Sequence, residues 1–438
     1  MLHRLLNKAA DIRPRESAAV LAAFCLFFFM WAGYFAVRPV RETIGTVLGR
    51  DAVADLWVFT ALFSILVIPL YGWIVGHVRR SVFLPTIYGA VALFLAGIGL
   101  AMSSEATVSP GVAKSFYVFI SVMNLFLISM FWSFLLEIFD SGQSKRLFGF
   151  IAAGGSAGAL IGPLLSDVMV ERVGNSGILY MGAAMFVIAI LCQRFLLKIW
   201  ASHPPREAER ASQRAADRPI GGNVFAGVTE ILKSPYLLGI ALFVVFISTV
   251  NTLLYFEQLR LVEIRFPDTT DRTRVFARLD WIVQSLTVLS QIFLTGRIAR
   301  FFGVKALLTW VPLAMVVGFL GIAATGTFAV LAVVFVLRRA CEYAFIRPGR
   351  EMLWSPLSKE VKYKAKNTVD VPIYRGADAI SAQINNAVAS SGAGTTGVAL
   401  LGAAVAVAWS ALGYWLGRRY DRAPRGDQAR RGTAAVEE

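Results

Sequence analysis

The chain has 438 residues, of which 57% are hydrophobic and only 16% are charged, whereas a typical soluble protein carries about a quarter charged residues. Its apolar residues fall in runs of about 20, enough for a helix to cross a hydrocarbon core ~30 Å thick. Because these runs are too long for barrel strands and lack period-two alternation, we predict an all-α membrane protein rather than a soluble protein or a barrel. The net charge of +15 would suggest nucleic-acid binding in a soluble protein. Here basic cytoplasmic loops explain it better, and we predict no nucleic-acid partner.

The apolar runs predict twelve transmembrane helices. Their residue ranges are 17–38, 54–76, 82–102, 114–139, 146–168, 176–199, 236–258, 276–298, 304–324, 326–346, 371–392 and 395–416. The eleventh, GADAISAQINNAVASSGAG, is only weakly apolar. This composition favours a helix that lines a cavity over one that faces lipid.

The distribution of basic residues predicts the orientation. If the N-terminus lies inside, the inside segments hold 32 of the 43 Lys and Arg residues. Basic residues concentrate in cytoplasmic loops, so both termini are predicted to be cytoplasmic, in a bacterial-type inner membrane.

A polar segment at residues 201–222, ASHPPREAERASQRAADRPIGG, divides the predicted helices into two sets of six. A weak repeat relates the halves, because GWIVGHVRRSVFL (72–84) resembles GRIARFFGVKALL (296–308). We therefore predict two pseudo-symmetric six-helix bundles of the major-facilitator type. The predicted domains are an N-terminal bundle at 1–200, a cytoplasmic linker at 201–235, a C-terminal bundle at 236–416 and a basic tail at 417–438.

The first predicted helix ends in VRPVRETIG, which places Arg38, Arg41 and Glu42 within about one turn of each other. Arg38 and Arg41 are three residues apart and share a helix face. They could reach water at the outer interface. They could instead form an anion-binding face on a central cavity. An Arg near the bilayer centre costs ~2.5–3.5 kcal/mol on insertion scales, so it needs water, a partner or a substrate. Pro39 should loosen the helix at this point.

A second charged cluster follows the tenth predicted helix. Arg350 and Arg375 flank the ends of the tenth and eleventh helices, where they could contact substrate or form a cytoplasmic gate. Arg375 and Asp378 are three apart and could pair. Asp280 heads the eighth helix, and Gln284 follows it by one turn. Asn251 lies within an apolar run, where hydrogen bonding between helices is the alternative to a binding role.

These patterns give two sets of candidate residues. Those for substrate binding are Arg38, Arg41, Asn251, Gln284, Arg350 and Arg375. Those for coupling or gating are Glu42, Glu137, Lys145, Glu257, Glu351, Asp370 and Asp378.

No cofactor, metal site or disulfide is predicted. Cys25, Cys192 and Cys341 lie in or beside apolar runs without metal-ligand spacing. The glycine-rich stretch GFIAAGGSAGALIGP (149–163) lacks the G-K-[ST] ending and the preceding strand of a phosphate-binding loop. Close packing between helices explains it better.

Residues 347–380 resemble the ATP/ADP translocase family, the nucleotide-exchange carriers of plastids and intracellular bacteria. The similarity rests on GREMLWSPLSKEVKYKAKNTVDVPIYRGADAI, on VRPVRETIG, and on FYVFISVMNLFLISMFWSFLLEIF followed by SKRLFGFIAAGGSAG. The resemblance implies that Arg41 and Arg350 occupy two basic intramembrane positions on which the family relies. The family's acidic position in the fourth helix falls near Ser121. Its acidic position in the seventh falls near Leu254, with Glu257 one turn later.

The sequence thus predicts a secondary transporter that exchanges an organic anion, a nucleotide or another phosphorylated metabolite, by alternating access. The alternative is a proton-coupled carrier of an unrelated small solute, in which Glu42, Glu351 or Asp378 would titrate. A membrane enzyme or sensor is disfavoured because we find no nucleophile–base set, metal spacing or soluble domain. The predicted partners are a small anionic solute and the lipid bilayer, with no required protein partner.

Overall fold

The computed structural model describes residues 13, 16–77, 80–104, 109–139, 141–201, 226–291, 293, 296–357, 361, 365–366 and 368–422. All regular structure in these residues is helical, which confirms the predicted all-α class. The helices are α1 (Ser17–Leu48), α2 (Arg50–His77), α3 (Arg80–Ser104), α4 (Pro110–Ile138), α5 (Ser141–Ala201), α6 (Ala226–Lys233), α7 (Pro235–Arg265), α8 (Thr269–Ser290), α9 (Gly296–Thr325), α10 (Phe328–Cys341), α11 (Arg347–Leu353), α12 (Tyr374–Val388) and α13 (Gly394–Arg422). Single π-helical turns occupy Glu342–Ile346, Val369–Ile373 and Ala389–Ala393.

Within the described part of the chain, seven helices are long and apolar enough to span a membrane. One of these, α5, covers both the fifth and the sixth predicted spans. Gly174 interrupts it with a φ of 68°, a backbone conformation that favours glycine. The arrangement of twelve helices in two bundles of six stays a prediction.

Helix α1 is longer than predicted, because it continues through Pro39 to Leu48 instead of ending at residue 38. A proline removes only one intrahelical hydrogen bond, and the buried residues Val40 and Ile44 keep the next turns packed. The arginines of VRPVRETIG therefore lie inside a helix and not at its end.

Helix α8 begins at Thr269, seven residues before its predicted start at 276. Asp268 caps it, since one carboxylate oxygen accepts hydrogen bonds from the backbone amides of Thr270 and Asp271 at 2.7 and 3.2 Å. Such capping satisfies amides that have no partner within the helix.

Helices α1 and α5 pack at very short range through the predicted small-residue stretch. A Cβ atom added at Gly154, Gly158 or Gly162 would lie 2.3–2.5 Å from a backbone carbonyl oxygen of α1. Glycine is therefore required for this approach, which confirms the helix-packing interpretation.

The chain divides into two compact units. Unit 1 comprises Met1–Gly221 and Gln258–Ser285, and unit 2 comprises Gly222–Glu257 and Leu286–Glu438. The end of α7 and most of α8 thus pack with the helices of the first half. The domain boundaries inferred from the sequence stay a prediction.

Candidate functional site

A partly buried cluster of four charged side chains joins α1 to α8 within unit 1. Arg38 donates hydrogen bonds from one terminal nitrogen to both carboxylate oxygens of Asp280, each at 3.2 Å. Its Nε lies 3.6 Å from Glu42 Oε1, which also accepts a hydrogen bond from Arg41. The side chains of Arg38 and Arg41 are 16% and 13% exposed, and those of Glu42 and Asp280 are 6% exposed. Two guanidinium groups and two carboxylates form a charge-balanced set, which we call the Arg38–Asp280 cluster.

The position of Arg41 is fixed from two further helices. Its Nη1 donates to Ser121 Oγ of α4 at 3.1 Å, and its guanidinium lies over the ring of Tyr117, 5.3 Å from the centroid. Trp57 of α2 donates a hydrogen bond to the Tyr117 hydroxyl at 2.8 Å. Ser121 is where the family resemblance implied a carboxylate. A neutral hydroxyl contacts Arg41 there, and the negative charge comes from Glu42 on the same helix.

A second cluster lies between α8 and α5, about Asp167. This carboxylate accepts hydrogen bonds from Arg274 Nε at 3.3 Å, Arg278 Nη2 at 3.1 Å and Trp281 Nε1 at 3.0 Å. Arg274 also contacts Glu171. These residues are not among the candidates predicted from the sequence. The available signal was Asp167, an acidic residue inside an apolar run that needs a partner in the membrane.

Neutral hydrogen bonds add to the contact between α1 and α8. Thr43 and Thr273 share a hydrogen bond of 2.6 Å, and Arg272 donates to Thr46 Oγ1 at 2.9 Å. These partners explain how α8, which carries four charged residues in its first ten positions and an aspartate after them, is accommodated in a membrane protein. Five of its polar side chains have partners on α1 or α5: Arg272, Thr273, Arg274, Arg278 and Asp280.

Unit 2 holds the candidates that follow α10. Arg350 lies 3.2 Å from Asp370 and 3.9 Å from Glu351, and Lys366 donates to Glu351. The structure thus brings together three of the predicted gating or substrate residues, Arg350, Glu351 and Asp370. Their functional roles stay predictions.

Arg375 and Asp378 lie within ion-pair distance, 3.7 Å, on α12. Ser248 of α7 donates a hydrogen bond to Asp378 at 2.5 Å, so this aspartate ties α12 to α7. On α7, Glu257 is buried and Asn251 is half-buried.

The remaining candidate residues are not described as part of these clusters. Gln284 is half-buried on α8, one turn beyond Asp280. The side chains of Glu137 and Lys145 are outside those that the structure describes. The three cysteines are free, and no group of metal-ligating residues occurs among the described side chains.

The chain is similar in sequence to known membrane transporters. A family model described as Major Facilitator Superfamily matches residues 23–346. ADP,ATP carrier protein 1 of Chlamydia trachomatis is 24% identical over 435 residues, which cover 82% of this chain and 80% of that protein. ADP,ATP carrier protein 2 of Chlamydia pneumoniae is 22% identical over 499 residues, which cover 95% and 91%. These values confirm a distant relationship to the ATP/ADP translocases.

Solved structures support the fold. The crystal structure of a POT family transporter in complex with 5-aminolevulinic acid superimposes with a TM-score of 0.63. The superposition covers 92% of this chain and 96% of that one, at 13% sequence identity. The proteins to which the chain is similar are transporters and not enzymes.

Proposed function

The chain belongs to the Major Facilitator Superfamily and is a multi-pass membrane transporter, and from this premise we propose that it exchanges organic anions across the membrane. The proposed substrates are nucleotides or other phosphorylated metabolites. The proposed mechanism is alternating access of two six-helix bundles. We also propose that both termini face the cytoplasm of a bacterial-type inner membrane.

The observation that carries the proposal is the pair of partly buried arginines on α1. Arg38 and Arg41 each present a guanidinium group that can contact phosphate or carboxylate through two parallel hydrogen bonds. Both arginines are held by partners on other helices, Asp280 for Arg38 and Ser121 for Arg41. A substrate phosphate would therefore meet donors that are already oriented.

The same contacts support exchange rather than one-way transport. Removing one partner of a buried ion pair costs about 3–5 kcal/mol in general, and less for Arg38, which keeps Glu42 at 3.6 Å. When α8 separates from α1 during alternating access, Arg38 loses the charge of Asp280. A bound anion offsets that loss, so the loaded carrier changes conformation more readily than the empty one.

Proton coupling is the second candidate function. Proton coupling requires an acidic side chain that titrates, and each candidate acid contacts a basic side chain. Glu42 contacts Arg41, Glu351 contacts Lys366 and Asp378 contacts Arg375. In this mechanism, protonation of an acid would release its arginine for the substrate. Transport would then depend on a pH gradient, which exchange between like charges does not require.

The proposal is tested with purified protein in liposomes preloaded with ADP. Uptake of labelled ATP is measured for the wild type, for Arg41→Ala and for the control Arg194→Ala, which removes an exposed arginine of α5. We expect uptake that requires internal ADP, that Arg41→Ala reduces by tenfold or more, and that Arg194→Ala leaves unchanged.

Two results would contradict the proposal. Uptake that a pH gradient drives in liposomes without ADP would favour proton coupling. Failure of ATP and of labelled phosphorylated competitors to enter, with an active control carrier in the same lipid, would exclude a phosphorylated substrate.

A further inference from the structure

Helix α10 ends in a concentration of buried arginines that the proposed substrate site does not include. Arg338 and Arg339 are only 3% and 6% exposed. The π-helical turn Glu342–Ile346 begins three residues after Arg339, and α11 begins with Arg347. Such π-helical turns are frequent at functional sites because they change the direction of side chains within a helix.

A single carboxylate serves two of these arginines. Arg338 Nη1 donates to Glu342 Oε2 at 2.9 Å, and Arg347 Nη2 lies 3.4 Å from Glu342 Oε1. The Nε atom of Arg338 is buried and has no hydrogen-bond partner among the residues that the structure describes. An orphaned donor on a buried charged group is costly and calls for an acceptor.

Arg347 gives this group an exposed side. Its guanidinium stacks on the ring of Tyr343, 4.2 Å from the centroid, and its side chain is 51% exposed. Stacking fixes the plane of the guanidinium while leaving its remaining N–H donors available to a ligand.

The neighbouring acids are already engaged. Asp378 is bound by Ser248 and lies 3.7 Å from Arg375. Asp370 and Glu351 contact Arg350 and Lys366. Among the described residues of 338–378, six are basic and four are acidic, an excess of two positive charges: Arg338, Arg339, Arg347, Arg350, Lys366 and Arg375 against Glu342, Glu351, Asp370 and Asp378. The Arg38–Asp280 cluster in unit 1, in contrast, is charge-balanced.

We propose that Arg338 and Arg347, about Glu342, form an anion subsite in unit 2 that binds a phosphate group of the substrate. This inference rests on the proposed function and narrows the substrate class to organic phosphates with at least two negative charges. Glu342 occupies part of the subsite when no substrate is present. The incoming phosphate replaces it on Arg347 and supplies an acceptor for Arg338.

The experiment measures binding of inorganic pyrophosphate to the full-length purified protein by isothermal titration calorimetry. Arg347→Gln removes the half-exposed donor and should weaken binding by about tenfold or more, since a charge-assisted hydrogen bond is lost. Glu342→Gln removes the competing charge and should tighten binding. Arg418→Gln, an exposed position of α13, is the matched control and should leave binding unchanged. Size-exclusion profiles establish that each variant is folded.

The subsite is supported if Arg347→Gln weakens pyrophosphate binding and Glu342→Gln tightens it. If the ion pair were merely structural, its loss would weaken binding in both variants. Three results would overturn the inference. The affinity for pyrophosphate could fall in both Arg347→Gln and Glu342→Gln, or it could be the same in Arg347→Gln as in Arg418→Gln. The wild type could also fail to bind pyrophosphate. If ATP/ADP exchange occurs while all variants bind equally, the subsite is wrong and the proposed function stands. If the opposite shifts occur without nucleotide exchange, the subsite stands and the substrate is another phosphate.

Discussion

The contact between Arg38 and Asp280 makes the strongest quantitative prediction about stability. We consider Arg38→Gln, Asp280→Asn and the double variant, which replace each charged group by a neutral amide. The two side chains are 16% and 6% exposed, so water screens the pair little. Each single variant removes the ion pair and leaves one of its two charges in place.

The expected magnitude follows from these contacts. Breaking a buried ion pair by removing one partner costs about 3–5 kcal/mol in general. Arg38 keeps Glu42 at 3.6 Å when Asp280 is neutralised. We therefore expect Asp280→Asn to lower the free energy of unfolding by about 2–3 kcal/mol. The double variant has no unpaired charge at this position, and the coupling energy of the cycle should be about 2 kcal/mol.

The assay is SDS-induced unfolding in mixed lipid–detergent micelles, which gives a free energy of unfolding for each variant. The same cycle on Lys366 and Glu351, whose side chains are 29% and 47% exposed, serves as the control. An exposed pair should give a coupling energy of no more than about 0.5 kcal/mol. Equal coupling energies for the two pairs, or additive effects of Arg38→Gln and Asp280→Asn, would refute the argument that burial makes this contact strong.

Two further predictions concern helix packing and pH. Gly158→Ala places a Cβ 2.3 Å from the carbonyl oxygen of Phe28 and should destabilise the protein by about 1–3 kcal/mol. Gly149→Ala, on the same helix, adds a Cβ that has no neighbour within 4 Å among the described residues. It should stabilise the protein by about 0.5–1 kcal/mol in the same unfolding assay. Burial raises the pKa of Glu16, but hydrogen bonds, including one from Arg146, outweigh burial and hold that pKa below its usual value of 4.5. Its stabilising contribution is therefore present at neutral pH and lost as the pH falls through the lowered value. The difference in unfolding free energy between wild type and Glu16→Gln should shrink below about pH 4, and a constant difference would contradict the assignment.

Much of the fold was accessible from the sequence. Runs of about 20 apolar residues predict helices because lipid offers no partner to the backbone, and the spacing of Gly154, Gly158 and Gly162 by four residues indicates a packed helix face. The predicted end of α1 at residue 38 was wrong. It rested on the rule that charged residues normally mark the end of a membrane-spanning helix. Here Asp280 neutralises Arg38 inside the helix bundle, and the helix continues to Leu48.

The candidate site was predicted in part. Arg38, Arg41 and Glu42 were recognised from charge within an apolar run and from their spacing on one helix, both of which are local properties. Asp167 carried the same intramembrane signal but was not singled out. Its partners Arg274 and Arg278 follow more than one hundred residues later, and no local pattern connects them.

Hydropathy, helical spacing and motif similarity are local properties of the chain, and they predict a helical membrane transporter with arginines on its first helix. The packing of the helices sets how these charges are balanced. It paired Arg38 with Asp280, satisfied the polar helix α8 through Asp167, and left Arg338 and Arg347 sharing Glu342. Ion pairing depends on distances between helices far apart in sequence, and packing sets those distances.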